Sequence, residues 1–383
     1  MDEVRLGVIG VGGMGTEHVR YLRAGDVKRC VLAAVCDVVP ERLVPYRDTV
    51  KTFDDSATLI RSGAVDAVLI ATPHYDHTLI GIDALQQGLH VLTEKPISAH
   101  KADAQRLLAA HTDKSRVFSV MYQMRTMPMY RKLRKLVQDG DLGEIRRVNW
   151  IITTWYRTEA YYASGGWRAT WKGEGGGVLL NQCPHTLDLL QWICGMPVKL
   201  RAWCNFGKYH TIEVEDEANA YFEYANGATG LFSTTTAEAP GTNRFEIAGD
   251  RGKVVCENNR ITFTRNEVNA REYSDTTDER FMPPEVWNVD VPFSAALTSH
   301  ANIVQNFVNA ILDGEPLVAP AEEGMASIEL ANAMLYSTFE NREVSLPLDA
   351  DSYEAALKAR IAGSQFVKGA VKEGSLDLAG SQP

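Results

Sequence analysis

A glycine-rich turn directly after an apolar segment constrains this chain more than any other feature of its sequence. Residues 4–15 read VRLGVIGVGGMG, so the strand-like run Leu6–Ile9 leads into the pattern G-x-G-x-x-G. The following residues, Thr16–Ala24, are compatible with a helix. A glycine turn between a strand and a helix lets the backbone approach a pyrophosphate, whose charge the helix N-terminus stabilises. The alternative is a tight turn that binds no ligand.

Each residue of this turn has its own expected role. Gly10 permits the tight turn, Gly12 lets the backbone approach the phosphates, and Gly15 allows the helix to pack closely on the strand. Gly13 and Met14 complete the predicted phosphate-binding segment. Together these residues predict a dinucleotide site.

An acidic residue follows the next predicted strand, Val31–Cys36. Asp37 lies about 20 residues beyond Gly15, which is the distance expected for contact with the adenosine ribose hydroxyls. Because a carboxylate there repels a 2′-phosphate, Asp37 predicts NAD rather than NADP as the cofactor. Arg42 weakens this interpretation, and the alternative for Asp37 is a solvated acid at a strand end.

The first 125 residues alternate predicted strands with predicted helices. Further strands are expected at Val65–Ala71, Leu89–Thr93 and Arg116–Met121, with helices at about 76–87 and 99–111. This alternation is typical of a doubly wound parallel sheet, in which ligands bind at the carboxyl ends of the strands. The residues expected at or near this cofactor crevice are Gly10, Asp37, Thr72, Pro73, His74, His77, Glu94, Lys95 and Gln123.

Beyond about residue 125 the pattern changes to strands that follow one another, which indicates a largely antiparallel sheet in a second domain. A helix is predicted from Tyr130 to Gln138, a long strand from Ile145 to Trp155, and a helical segment at 178–194. Further strands are predicted at 198–206, 217–224, 228–236, 243–249, 252–256 and 260–264. Residues 266–296 are expected to be irregular, with helices at about 297–312 and 321–341. The predicted division is therefore a cofactor domain (1–125), a substrate and oligomerisation domain (126–348) and a helical tail (349–383).

Length, charge and cysteine use exclude several classes of protein. A chain of 383 residues exceeds the usual size of one hydrophobic core, so two domains are expected. A net charge of −10 argues against binding to nucleic acid, and no apolar run approaches the length of a membrane span. Six scattered cysteines without a C-x-x-C pair are typical of reduced thiols, and Met1 stands too close to the first strand for a signal peptide. These features predict a cytoplasmic protein with no membrane or nucleic-acid partner.

Lys95 is the first candidate for chemistry, because it lies at a strand end that faces the crevice. Burial beside a nicotinamide cation lowers the pKa of a lysine toward the range that is useful for proton transfer. The alternative is an exposed lysine at a strand end.

The second candidate is the predicted helix that contains His185. Asn181, His185, Asp188 and Trp192 fall at spacings of a helical repeat, so a continuous helix places them on one face. This polar stripe predicts the lining of a cavity, although Pro184 either kinks the helix or marks its restart. The alternative is a core histidine that is hydrogen-bonded to Asp188. Zinc is disfavoured, because no third and fourth ligands stand at a familiar spacing.

The third candidate is the glycine-rich loop before that helix, which carries Tyr156, Arg157, Trp167 and Arg168. Aromatic rings and arginines suit the apolar faces and hydroxyl rims of a sugar. The alternative is a surface loop that packs on its own aromatic rings.

With these motifs together, the chain resembles the Gfo/Idh/MocA oxidoreductases, the group of glucose–fructose oxidoreductase and inositol dehydrogenase. The resemblance covers about residues 4–345. It implies a Rossmann domain and an α/β domain whose large, mainly antiparallel open sheet packs through its free face in homodimers or homotetramers. The motifs that carry it are Gly10–Gly15, Ala71-Thr72-Pro73 with His77, Glu94-Lys95-Pro96, Arg125 before Pro128, and Gly175–Gly195.

The resemblance also implies NAD(P) and hydride transfer at a sugar or cyclitol carbon. It implies a catalytic role for Lys95, often with a cis peptide bond before Pro96, and it makes His185 the catalytic histidine. One departure stands out, because the family commonly has an aspartate where this chain has Asn181. An asparagine orients a hydroxyl but cannot accept its proton, so proton removal falls to His185 or Lys95, with Asp188 orienting the imidazole.

We therefore expect an NAD-dependent dehydrogenase that acts on a secondary hydroxyl of a sugar, glycoside or cyclitol. His185 takes the proton, Lys95 polarises the developing oxyanion, and no metal is expected. The alternatives are an NAD-retaining glycoside hydrolase or lyase, suggested by the stretch 181–185, and a non-catalytic NAD-binding sensor. The presence of both Lys95 and His185 argues against the sensor. The predicted substrate contacts are Arg125, Tyr156, Arg157, Trp167, Arg168, Asn181 and Asp188.

Overall fold

The computed structural model describes residues 2–296 and 298–369, which form two β-sheets. The first sheet is parallel between all its described neighbours, and its strands, numbered along the chain, lie in the order 3-2-1-4-5-6. This arrangement confirms the predicted doubly wound sheet. Its described strands are β1 (Val4–Ile9), β2 (Cys30–Cys36), β3 (Lys51–Phe53), β4 (Ala67–Ile70), β5 (His90–Thr93) and β6 (Phe118–Val120).

The sequence-based prediction omitted β3, so the predicted third, fourth and fifth strands are β4, β5 and β6. Strand β3 has only three residues and begins with an exposed lysine, so neither an apolar run nor an alternating pattern marks it. It forms by parallel pairing with β2, where Ala34 lies opposite Lys51. The strand order reverses between β1 and β4, which is where such sheets bind their ligands.

Helices cover both faces of the first sheet and one face of the second. The residues around Gln123 form a short 3-10 turn, Gln123–Thr126. The predicted helix at 178–194 is divided in two, because α9 ends at Asn181 and α10 restarts at Pro184, the first-turn position that proline favours. The described α-helices are α1 (Gly13–Arg23), α2 (Pro40–Leu43), α3 (Ser56–Arg61), α4 (His74–Gln86), α5 (Lys101–Ala110), α6 (Pro128–Gln138), α7 (Glu159–Ala163), α8 (Trp171–Glu174), α9 (Val178–Asn181), α10 (Pro184–Cys194), α11 (Ala270–Thr276), α12 (His300–Asp313), α13 (Ala321–Phe339) and α14 (Ala350–Gly363).

The second sheet confirms the predicted large and mainly antiparallel sheet. Its strands lie in the order 14-13-12-11-7-10-9-8-15, and only the pair of strands 7 and 10 is parallel among the described residues. Strand β14 (Val286–Val291) and helix α11 lie in the region predicted to be irregular, where exposed and polar residues hide both elements from a pattern-based prediction. The described strands are β7 (Ile145–Ile152), β8 (Lys199–Phe206), β9 (Glu215–Glu223), β10 (Thr229–Thr235), β11 (Asn243–Gly249), β12 (Gly252–Glu257), β13 (Arg260–Asn266), β14 (Val286–Val291) and β15 (Val344–Ser345).

The two faces of the second sheet differ in character. Trp150 on β7 is buried and stacks on Phe245 of β11 with ring centroids 4.1 Å apart, whereas the next residue, Ile151, is 44% exposed. Helix α13 packs along β8 on the buried face. The opposite face, which we call the open face, presents Ile151, Trp203, Tyr221 and Leu231 to solvent.

Helix α12 packs on the first sheet although it follows strands β7–β14 of the second sheet in sequence. Ile303, Val304, Phe307 and Val308 are buried in one cluster with Leu6 and other residues of β1. The described part of the chain therefore returns to the first sheet after β14. The boundaries at 125 and 348 remain a prediction.

The predicted tail contains α14, which an ion pair between Arg106 and Glu354 (2.7 Å) fastens to α5. Residues 370–383 of this tail lie outside the described residues. Among the helices that the structure describes, none has both the length and the apolar character needed to cross a membrane.

Candidate functional site

The glycine turn between β1 and α1 has the shape expected of a phosphate cradle. Gly10 has φ of +89°, and a Cβ on Gly15 would lie 1.7 Å from the Gly10 carbonyl oxygen, so neither position accepts a side chain. A Cβ on Gly12 would meet nothing closer than the Arg42 guanidinium at 3.9 Å. Helix α1 has no side-chain cap, so the backbone N–H groups of Gly13 and Met14 in its first turn are available to an anion.

Asp37 is buried beside this turn. Its carboxylate accepts hydrogen bonds from the backbone N–H groups of Val11 and Val39, both at 2.9 Å, and so fixes the turn to the end of β2. The half-exposed Arg42 lies 3.4 Å from both carboxylate oxygens. The carboxylate predicted to contact the ribose is thus in place, with a guanidinium next to it.

Two further residues of the predicted cofactor site hold buried polar atoms that lack a hydrogen-bond partner among the described residues. These atoms are the Thr72 hydroxyl oxygen, after β4, and the Gln123 side-chain oxygen, after β6. An unpaired buried polar atom is costly unless a ligand satisfies it. The glycine cradle and these two atoms therefore fit a dinucleotide whose nicotinamide carries a carboxamide group.

The histidines at the same edge of the sheet have protein partners instead. The His77 ring nitrogens lie 2.8 Å from the Pro96 carbonyl oxygen and 2.9 Å from that of Thr72, and His74 Nδ1 lies 3.0 Å from the Glu174 carbonyl oxygen. Burial lowers the pKa of both imidazoles. These contacts favour a structural role for His77 over the predicted cofactor contact, and they place His74 at the boundary with the second domain.

Glu94 binds His18 of α1. Its carboxylate lies 2.7 Å from His18 Nε2 on α1, and its second oxygen accepts a hydrogen bond from the Lys95 backbone N–H at 3.1 Å. Burial alone raises the pKa of a carboxyl group, but the hydrogen bond and charge of His18 lower the pKa of Glu94 to about 2. Glu94 therefore anchors the Glu-Lys-Pro turn to α1, which favours a positioning role over direct cofactor contact.

Lys95 reaches from this turn into the second domain. Its Nζ donates a hydrogen bond of 2.7 Å to the main-chain oxygen of Asn181, and the peptide bond before Pro96 is cis, as the resemblance implies. Burial lowers the pKa of Lys95, and the nearby charge of Arg168 lowers it further. A partly buried ammonium held in one place is suited to stabilising negative charge or to exchanging a proton.

His185 lies opposite, in the first turn of α10. The side-chain N–H of Gln123 donates to Nε2 of His185 at 3.2 Å. Because Nε2 is then the acceptor, the ring proton is assigned to Nδ1. Nδ1 is buried and has no hydrogen-bond partner in the described part of the chain. Burial, followed by the charge of Lys95, lowers the pKa of His185, so the imidazole is neutral and able to accept a proton.

Asp188 does not orient His185, contrary to the hypothesis from the sequence. Its carboxylate accepts hydrogen bonds from the Arg125 guanidinium, with a Nε–Oδ2 distance of 2.7 Å. Arg125 also binds Glu323 and the Val318 carbonyl oxygen, and it is 1% exposed. In the turn after β6, the residue that forms a hydrogen bond with His185 is Gln123 and not Arg125. This network favours a structural role for Arg125 and Asp188 over the predicted substrate contact, because both charges are already paired.

Sequence reasoning missed two residues that surround Asn181. The buried carboxylate of Glu174 accepts a hydrogen bond from the Asn181 side-chain N–H and another, of 2.6 Å, from the Ala169 backbone N–H. The Tyr161 hydroxyl donates to the Asn181 side-chain oxygen at 3.1 Å. Burial raises the pKa of Glu174. Tyr161 and Glu174 both lie in the glycine-rich loop that the sequence analysis identified. A polar side chain next to glycines and aromatic residues was the signal that could have identified them.

The glycine-rich loop brings its arginines against Tyr161. The guanidinium carbons of Arg157 and Arg168 lie 5.1 and 4.8 Å from the centroid of that ring. Arg168 also lies 4.6 Å from the ring of Trp167, which contacts the His74 ring at 5.4 Å. The loop is therefore packed against the edge of the first sheet.

The two ends of this loop differ in their surroundings. Lys368 donates hydrogen bonds to the carbonyl oxygens of Gly165 (2.6 Å) and Arg168 (2.7 Å), so the C-terminal segment holds this part of the loop in place. Tyr156, by contrast, is 51% exposed. Its predicted contact with substrate remains a prediction.

Two models of one protein family match successive parts of the chain. A model described as an oxidoreductase family with an NAD-binding Rossmann fold matches residues 4–122, and the GFO/IDH/MocA C-terminal domain matches residues 130–255.

Curated relatives and solved structures cover most of the chain. It is 24% identical to the myo-inositol 2-dehydrogenase of Thermotoga maritima, over 90% of this chain and 98% of that protein. It is 25% identical to the levoglucosan dehydrogenase of Pseudarthrobacter phenanthrenivorans, over 73% of this chain and 79% of that protein. The WlbA dehydrogenase from Bordetella pertussis, solved in complex with NADH and UDP-GlcNAcA, has a TM-score of 0.75 and 26% identity, and the match covers 91% of this chain and all of that one.

The contact between Asn181 and Glu174 can be tested by replacing Asn181 with the aspartate that is common in the family. Asn181→Asp removes the donor to a buried carboxylate and places a second carboxylate against it, so we expect unfolding free energy to fall by about 1–3 kcal/mol. The double variant Asn181→Asp with Glu174→Gln restores one donor and one acceptor and should recover most of the loss. Urea unfolding of both variants measures the effect. Wild-type stability of the single variant would contradict the contact.

Proposed function

Because this chain belongs to the Gfo/Idh/MocA family of NAD-binding oxidoreductases, we propose that it is an NAD-dependent dehydrogenase acting on a secondary hydroxyl of a sugar, glycoside or cyclitol. The observation that carries the proposal is that Lys95, from the edge of the first sheet, donates a hydrogen bond to the Asn181 main-chain oxygen just before α10, where its charge also lowers the pKa of His185. The names of the relatives, an inositol and a levoglucosan dehydrogenase, support this substrate class.

The proposed cofactor is NAD, with its pyrophosphate at the turn Gly10–Gly15. The buried carboxylate of Asp37 accepts hydrogen bonds from the ribose hydroxyls and repels a 2′-phosphate. The Arg42 guanidinium stays bound to the same carboxylate. Thr72 and Gln123 supply the unpaired polar atoms for the nicotinamide end. When bound, NAD supplies the hydride acceptor.

In the proposed mechanism, the substrate hydroxyl gives its proton to His185. The acceptor is Nε2, where the substrate hydroxyl replaces the hydrogen bond from the Gln123 side-chain N–H, and the proton on Nδ1 gives the ring the correct tautomer. The Lys95 ammonium stabilises the negative charge that develops on the substrate oxygen. Asn181 holds that ammonium through its main-chain oxygen and is itself held by Glu174 and Tyr161. The charged groups are therefore positioned before substrate binds.

Removing either proposed catalytic group should slow turnover and spare cofactor binding. We expect Lys95→Met and His185→Asn to lower kcat by about 10²–10⁴-fold, because each removes an acid–base or electrostatic contribution. A panel of sugars, glycosides and cyclitols with NAD, followed by absorbance of NADH, measures kcat, and calorimetry measures NAD affinity. Near-normal turnover of both variants would rule out this assignment. Release of an aglycone without net NADH would instead indicate the hydrolase or lyase alternative.

The pH profile distinguishes the roles of the two groups. Burial lowers the pKa of His185 below its usual 6.5, so its basic form persists into acid, and kcat/KM should fall only well below that pH. Burial also lowers the pKa of Lys95 below its usual 10.5, and a charged Lys95 is required, so activity should fall as pH rises through that lowered pKa. His185→Asn should remove the acidic limb. A rate that rises through the alkaline limb would make Lys95 the base.

We also propose that the open face of the second sheet mediates a homodimer or homotetramer. Trp203 and Leu231 are each 54% exposed there, and Tyr221 lies opposite Leu231 on the neighbouring strand. Apolar residues grouped on an exposed sheet mark an interaction surface. Light scattering should give a multiple of the chain mass of 42.4 kDa. Trp203→Glu with Leu231→Glu should reduce it to one chain, and a monomeric wild type would contradict this assembly.

A further inference from the structure

The wall of the site formed by the glycine-rich loop is positively charged. Arg157 and Arg168 lie against Tyr161, and Lys95 is close enough that both guanidinium charges act on it: burial is the main reason that the pKa of Lys95 is lowered, and the charges of Arg168 and Arg157 lower it further. Lys368 adds a fourth cation at the Arg168 carbonyl. These charges gather in a chain whose net charge is −10.

The described acidic groups near this wall make their hydrogen bonds to other partners, although the charges of Arg168 and Lys368 also act on the Glu174 carboxyl. Glu174 is buried and bound by Asn181 and the Ala169 backbone N–H, and Glu159 accepts a hydrogen bond from the Thr211 backbone N–H at 2.9 Å. Within residues 2–296 and 298–369, Arg168 forms no ion pair with a carboxylate, and its hydrogen bond is to the Tyr161 hydroxyl at 2.8 Å. A neutral sugar needs hydroxyl-binding groups but no such group of cations.

Arg168 is also held in a defined orientation. Its guanidinium lies against the rings of both Tyr161 and Trp167, and the hydrogen bond from Nη1 leaves the other edge of the planar group without a partner among the described residues. Lys368 holds the main chain beneath it. A guanidinium with a fixed plane binds a carboxylate or a phosphate through two parallel hydrogen bonds.

We propose that the substrate is an anionic sugar, whose carboxylate or phosphate is bound by Arg168 with the charge of Arg157 in support. This inference rests on the proposed function, since it concerns the substrate of the same site. The anion lies on the loop side of the substrate, and the reacting hydroxyl lies toward Lys95 and His185. Arg168 is thereby a specificity-determining residue.

The test compares hexuronates and hexose phosphates with the matching neutral hexoses and with myo-inositol, in the presence of NAD. We expect kcat/KM to be about 10–100-fold higher for one anionic class than for its neutral counterpart, the size of a lost charge-assisted hydrogen-bond pair. A preference for hexuronates identifies a carboxylate, and a preference for hexose phosphates identifies a phosphate. A preference for the neutral sugars would overturn the proposal.

Variants then assign the preference to this arginine. Arg168→Met should bring the anionic-to-neutral ratio of kcat/KM close to one, whereas Arg168→Lys, which keeps the charge but loses the planar group, should give an intermediate ratio. Arg260→Met, which removes an exposed arginine of β13, is the matched control and should leave the ratio unchanged. An unaltered ratio in Arg168→Met would overturn the assignment.

A binding measurement separates this proposal from the proposed function. If no sugar yields NADH although NAD binds, the dehydrogenase activity fails. Anion recognition is then judged by the shift in Tm that hexuronates or hexose phosphates cause in the NADH-bound protein. A larger shift in wild type than in Arg168→Met supports the anionic ligand, and equal shifts refute it.

Discussion

The hydrogen bond from Lys95 Nζ to the main-chain oxygen of Asn181 is the contact on which the candidate site depends. It joins the turn after β5 in the first sheet to the end of α9, which packs on β9 of the second. Because the acceptor is a main-chain atom at a helix end, the backbone sets its position whatever side chain stands there. The same contact holds the ammonium partly withdrawn from solvent, and this desolvation lowers the pKa of Lys95. One hydrogen bond therefore serves both the packing and the chemistry.

The surrounding contacts explain how the two sheets present a site that exists before substrate binds. His74 lies 3.0 Å from the Glu174 carbonyl oxygen, and the Tyr75 hydroxyl donates to the Trp171 carbonyl oxygen at 3.0 Å. Both contacts run from α4, at the edge of the first sheet, to α8 in the glycine-rich region. Glu174 also binds the side chain of Asn181, whose main-chain oxygen binds Lys95. Helix α4 and the residues that contact Lys95 therefore belong to one hydrogen-bonded network.

The parts predicted from the sequence are those that short motifs encode. The turn at Gly10–Gly15, Lys95 and His185 follow from local patterns, and both sheets follow from the order of apolar segments except for the strands β3, β14 and β15. The partner of Asp188 was predicted wrongly, because a helical repeat tells which residues share a face but not what packs against that face. Arg125 reaches Asp188 through the packing of the turn after β6 on α10. Glu174 was missed for a related reason. Its contact with Asn181 depends on its burial, and a glycine-rich sequence does not indicate which of its residues are buried.

Helix α12 has a consequence for how the chain acquires its fold. The apolar face of β1 is covered by Phe307 and its neighbours, which are synthesised much later than β1. A ribosome releases about 5–20 residues per second, so the N-terminal sheet waits many seconds for its covering helix. The first sheet is thus begun early and finished late, and α12 must meet β1 before this sheet is a complete folding unit. A fragment that ends after β6 would carry a bare apolar surface.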